Sequence, residues 1–167
     1  MSEFARIFDA RHLPSVPQTI AATTEECAGL AQRFGLITVR NLKATVTCAS
    51  DGPTVRVTGR LSADIVQSCA VSGEDLPVRI NEPVALSFVP ASTAPVSDEI
   101  VELNAEELDE IEMNGTQFDL GEALAQGLAL AIDPYLEGPG AEAARRKAGV
   151  MDPSDTGPFA ALKKLLE

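Results

Sequence analysis

Three stretches in the first half of the chain alternate apolar and polar residues with a period of two, the signature of strands with one buried face. In the first, Leu42, Ala44, Val46 and Cys48 alternate with Asn41, Lys43, Thr45 and Thr47. In the second, Val55, Val57, Leu61, Ala63 and Ile65 share one face, and Arg56, Thr58, Arg60, Ser62 and Asp64 share the other. Gly59 falls on the apolar face and predicts a bulge or bend there. In the third, Val78, Ile80, Val84, Leu86 and Phe88 repeat the pattern, and Pro83 within it predicts an edge position or a local bend. Asp51-Gly52-Pro53 marks a turn between the first two strands, and a tight segment over residues 67–75 joins the second to the third. Strands on such short connections predict an antiparallel meander with helices over one face.

Two helices supply the cover. Thr23, three residues ahead of Glu26, forms a capping-box pattern; Cys27, Leu30, Ala31 and Phe34 make an apolar stripe, and Gly35 closes it. A longer helix is predicted at about 119–132, with Leu120, Leu124, Leu128 and Ile132 at i, i+4 spacing and Pro134 ending it. Residues 4–9 predict a short edge strand, followed by an extended passage at Leu13-Pro14 and Val16-Pro17. A further short strand is predicted over 110–113, with Asn114-Gly115 turning the chain toward the longer helix. The fold class is α+β, with a single domain over 1–135.

Residues 136–157 read as a flexible linker, rich in Gly and Pro, with a short helix over 141–148. Residues 158–167 then form a short amphipathic helix with Phe159, Leu162 and Leu166 on one face. So short a helix is not stable alone. It either docks on its own domain or folds on a partner.

Charge divides the 167 residues unevenly. Residues 1–90 hold 8 basic and 9 acidic side chains, whereas 91–167 hold 5 and 16, so nearly all of the net −12 is C-terminal. Ten of the residues from 98 to 122 are Asp or Glu, and none is Lys or Arg. Repulsion among them opposes folding unless they are solvated or matched by an external cation. The first reading is a protein-binding surface at Glu106, Glu107, Asp109, Glu110 and Glu112, with Phe159, Leu162 and Leu166 as apolar anchors. The second is RNA contact through the outward strand residues Lys43, Arg56, Arg60 and Arg79. That face lacks exposed aromatics for bases to stack on, since the chain has one Tyr, no Trp, and six Phe placed mainly on core faces or in the tail. The plain alternative is an ordinary solvated sheet face.

Enzymatic chemistry finds no support. His12 is the only histidine and stands in a Pro-rich passage, and Gly52, Gly59 and Gly73 are isolated rather than grouped in a phosphate loop. Cys27, Cys48 and Cys69 lack the close pairing of structural zinc ligands and read as free thiols in a reducing compartment. Cys69 is expected to pack as a small apolar residue. No cofactor or metal is implied. No apolar run approaches the ~20 residues that span a bilayer, so the expectation is a cytoplasmic protein without membrane contact.

Three separated pieces resemble the bacterial large ribosomal RNA subunit accumulation family, the YceD-like proteins. Residues 59–72 are similar to that family's strand leading into a cysteine-bearing turn, followed by Phe88-Val89-Pro90 at the end of the next strand. Residues 117–134 resemble its acidic strand, Asp-Leu helix start and Pro-terminated helix. Gly157-Pro158-Phe159-Ala160-Ala161-Leu162-Lys163-Lys164-Leu165 resembles its C-terminal tail. Two positions depart from the pattern: Val66 stands where many members carry a first turn cysteine, and Gly157 where Asn is common. The resemblance implies a non-enzymatic ribosome-biogenesis factor supporting synthesis, processing or accumulation of large-subunit ribosomal RNA. Taken with the charge asymmetry, it points to a basic large-subunit ribosomal protein or assembly factor as partner, with ribosomal RNA contact as the alternative. A structural or interaction domain unrelated to ribosomes is the remaining one.

Overall fold

The computed structural model describes residues 3–91 and 110–149. In chain order the elements are β1 (Ile7–Asp9), β2 (Gln18–Ala21), α1 (Thr24–Phe34), β3 (Thr38–Asp51), β4 (Thr54–Ser68), β5 (Asp75–Pro90), β6 (Glu110–Met113), β7 (Gln117–Asp119), α2 (Leu120–Leu130) and α3 (Ala141–Lys147). The three alternating stretches become β3, β4 and β5, an antiparallel meander at the centre of a five-stranded sheet ordered β2-β3-β4-β5-β6. The α+β class read from the sequence is the observed one. Gly52 supplies the positive φ, 61°, that the two-residue loop between β3 and β4 requires.

β6 pairs with β5 in parallel, Ser87 opposite Glu110 and Pro90 opposite Met113. A four-residue pattern carries no direction; the long connection before it decides at which end the strand enters. β1 and β7 form a separate antiparallel ribbon, with Phe8 opposite Phe118 and the Phe118 ring 4.3 Å from that of Phe88.

The irregularity predicted at Gly59 lies elsewhere. Pairing runs unbroken through Val46 and Gly59, and the register shifts instead between Arg40 and Lys43. Asn41 and Leu42 together face Ala63, with Asn41 at φ 53°, a left-handed conformation that Asn adopts more readily than most residues. Gly59 answers a different need: a Cβ there would stand 2.1 Å from the Thr45 carbonyl oxygen. Pro83 pairs with Arg60 within a continuous β4–β5 register. Since β6 accompanies β5 only from Ser87 to Pro90, Pro83 lies where β5 has one partner among the described residues.

Both helices cover the apolar sheet face. The capping box of α1 is present, with the Glu26 N–H donating to Thr23 Oγ1 and the Thr23 N–H to Glu26 Oε2, and Gly35 closes the helix at φ 66°. α2 is shorter than its pattern: Leu120, Leu124 and Leu128 are buried, but the helix stops at Leu130 and Ile132 lies beyond it. Arg6 ties the two helices together. Its backbone N–H donates to Asp119 Oδ1 at 2.8 Å, its carbonyl accepts from Leu120, and its guanidinium donates to both Glu26 oxygens at 2.7 and 2.9 Å. That guanidinium, aided by the Thr23 N–H, holds the Glu26 carboxyl down at about 2.

Of the stretch 136–157, residues 136–149 are described, and they lie against the turn between β4 and β5. The Leu136 carbonyl accepts from Ala70 N–H, Glu74 Oε1 accepts from Gly140 N–H at 2.9 Å, and Ala141 at the start of α3 is buried.

Two glycine substitutions separate close approach from simple flexibility. Gly59→Ala forces backbone apart and is expected to destabilise by about 2 kcal/mol or more. Gly127→Ala, inside α2 with its nearest outside atom 4.0 Å away, is expected to be neutral or stabilising by about 0.5–1 kcal/mol. Urea denaturation of both variants checks the pair; equal effects would contradict the geometry.

Candidate functional site

The solvent side of the sheet gathers basic residues that are scattered in the sequence. The β3–β4–β5 register sets Arg40, Asp64 and Arg79 on one rung, Lys43, Ser62 and Asn81 on the next, then Thr45, Arg60 and Pro83, and further along Ala49, Arg56 and Ser87. Arg40, Lys43, Arg56, Arg60 and Arg79 are all exposed. Eight residues of β4 separate Arg56 from Asp64, about 26 Å at the usual strand rise. Five cationic side chains thus share a face with Asp64 inside the strip and with Asp51 and Glu110 at its Arg56 end, on a molecule of net charge −12.

Their pairings leave the charge accessible. Asp64 accepts from Arg79 Nε at 3.0 Å and from Asn41 Nδ2 at 2.8 Å, and these bonds, Asn41 first, hold its carboxyl below the usual range. Arg60 donates to Asn81 at 3.2 Å, and Arg56 lies 3.5 Å from Asp51 with both side chains well exposed. Surface pairs of this kind contribute little and exchange readily for another anion. A shallow depression of about 530 Å³ lies beside the bulge, lined in part by Asn41, Lys43, Asp64 and Arg79.

Arg40 was absent from the sequence reading. Strict alternation back from Leu42 would turn Arg40 inward, and the bulge at Asn41 reverses this, burying Val39 and exposing Arg40. The available signal was the apolar Val39 beside Asn41, a residue tolerant of positive φ. The four cations named from the sequence, Lys43, Arg56, Arg60 and Arg79, do stand on one face. No aromatic residue belongs to these rungs; Phe4, Phe88 and Phe118 are buried. Of the acidic candidates, Glu110 and Glu112 are exposed on β6, while Glu106, Glu107 and Asp109 lie outside the described residues, as do Phe159, Leu162 and Leu166.

Cys69 packs away from solvent as expected, and its sulfur has polar partners as well. Its Sγ accepts N–H bonds from Gly138 and Ser72, each at 3.3 Å. Those donors, Gly138 first, favour the thiolate and lower the thiol to about 7. Burial instead raises the Cys48 thiol. Among the described residues no three His, Cys, Asp or Glu side chains are grouped as metal ligands, and no helix is long and apolar enough to cross a membrane.

The fold is thus a helix-covered α+β sheet whose open face is basic, without an enclosed reaction centre among its described residues. A model of the family described as large ribosomal RNA subunit accumulation protein YceD matches residues 57–166, and the chain belongs to that family. The match begins in β4 and takes in the Cys69 turn, β5 to β7, α2 and the C-terminal tail. No curated protein and no solved structure matches the chain.

The Cys69 environment has a spectroscopic consequence. Thiolate absorbance followed against pH is expected to show a step near 7 that disappears in Cys69→Ser. Because the folded value lies below that of a free thiol, this group stabilises the fold above the free-thiol range and loses that contribution as pH falls through about 7. A first step above 8.5, near the free-thiol value, would contradict the assignment.

Proposed function

We propose that this chain supports accumulation of large-subunit ribosomal RNA as a non-enzymatic factor that touches RNA through its basic sheet face. Family membership supplies the ribosomal context. The observation that carries the reading is the alignment of Arg40, Lys43, Arg56, Arg60 and Arg79 on one open surface. With guanidinium and ammonium groups and no stacking platform, the face suits phosphates better than base edges, so contact is tolerant of sequence. It would act over short range, because the rest of the molecule repels a polyanion.

A second reading rests on the charge asymmetry. Residues 91–167 carry 5 basic and 16 acidic side chains, and Glu110 and Glu112 stand exposed where this acidic part enters the sheet. A basic large-subunit ribosomal protein or assembly factor would be drawn to it by long-range attraction. Glu110 continues the Arg56–Ser87 rung onto β6, so the two readings meet at that edge of one sheet face.

Binding to a fragment of large-subunit ribosomal RNA, measured at several salt concentrations, tests the first. Three or four phosphate contacts predict a log–log salt slope of about −2 to −3.5. Arg56→Gln with Arg60→Gln is expected to weaken binding about tenfold and to flatten the slope by about 1 to 2. Arg11→Gln, outside this face, is expected to change neither. Absence of RNA binding by the wild-type protein at low salt would overturn the reading.

Purification of the tagged protein from its own cells tests the second. A basic ribosomal protein retained through RNase treatment and released by salt is the expected result. Loss of every ribosomal component with RNase would leave the sheet face alone.

A further inference from the structure

On the helix-covered side of the sheet, a half-open groove of about 390 Å³ runs between α2 and the part of β5 that lacks a second partner among the described residues. Its floor is apolar, with Val84, Leu86, Ile111 and Leu124. At its lip stands Leu130, 85% exposed, although Leu120, Leu124 and Leu128 of the same helix are buried. Glu82 and Glu110 form the charged part of the rim. A leucine left in water beside an apolar trough is incompletely packed, and its burial would be favourable.

We infer that this groove seats the chain's own C-terminal segment, residues 158–166. Phe159, Leu162 and Leu166 fall at i, i+3 and i+7, one face of a helix about 14 Å long, which matches an apolar trough. Lys163 and Lys164 beside them complement Glu82 and Glu110. The connection between β5 and β6 is unsuited to the place, because residues 92–109 carry six acidic and no basic side chains and would meet like charge. Reach is ample. The ten residues from Gly149 to Phe159 extend up to ~33 Å, against a radius of gyration of about 14 Å for a domain of this size. A helix too short to hold itself together thereby gains the burial it needs, and Leu130 gains a neighbour. Apart from Glu110 at the shared edge, the groove lies on the other side of the sheet from the basic rungs, so its assignment stands or falls independently of RNA binding.

Disulfide trapping in the full-length protein tests the assignment. Under mild oxidation, Leu130→Cys with Leu162→Cys is expected to close an intramolecular bond at least ~10-fold faster than Thr19→Cys with Leu162→Cys, whose first cysteine lies on the opposite sheet face. The native cysteines are buried and free, so they compete little. Glu82→Lys with Glu110→Lys is expected to slow trapping several-fold, and Lys163→Glu with Lys164→Glu added to it to restore the rate. Bonds formed only between two chains would overturn the inference in favour of a second copy. Equal rates for the two cysteine pairs would overturn it outright.

Discussion

One residue near the start of the chain holds the architecture in its observed arrangement. Arg6 is bound through its backbone to the start of α2 and through its side chain to the start of α1, so both helices are anchored at their N-terminal ends on one short segment. The approach is close enough to dictate sequence on the opposing element: a Cβ at Gly121 would stand 1.9 Å from the Phe4 carbonyl oxygen. Asp119 completes the junction by accepting both from Arg6 and from the Glu122 N–H within its own helix. Negative side chains at helix starts are favourable in any case. Here the Arg6 guanidinium on Glu26 and the Arg6 N–H on Asp119 bring both helix starts to one segment, while the apolar parity of the strands decides which sheet face they cover.

That choice of face separates architecture from chemistry. The covered side holds Leu120, Leu124 and Leu128 of α2, Leu30 of α1 and the inward residues of three strands in one core. The open side is free of packing duties, and its residues are correspondingly polar. The glutamates of β6 project from the sheet's far edge, next to β5, whereas the cations lie across β3, β4 and β5.

Period-two alternation made β3, β4 and β5 legible, and with them four of the five cations, because parity along a strand assigns a face without knowledge of the neighbours. Parity fails wherever a residue is inserted, which is why Arg40 was missed and why the irregularity was expected at Gly59 rather than at Asn41. Helix positions were readable from capping chemistry and leucine spacing, but the end of α2 was overrun because Ile132 continues the spacing beyond the last helical turn. Direction of β6, the N–H donors around Cys69 and the packing of residues 136–149 on the turn all depend on segments distant in sequence. No local pattern contains them. The hydrogen bond from Gly138 to Cys69, for example, joins positions 69 residues apart.

The basic strip on an acidic body also makes the molecule an electric dipole. In the field of a polyanion, the net charge of −12 pushes the whole chain away while the field gradient turns its sheet face forward. Torque therefore acts before attraction does. If the sheet face is the RNA contact proposed above, its cations must come within roughly a Debye length, 8–10 Å at ordinary ionic strength, before their attraction is felt. Such a particle would be slow to settle on exposed nucleic acid at random and would be held best where something else has already brought it close. Orientation and delivery, more than affinity, would then govern where it stays.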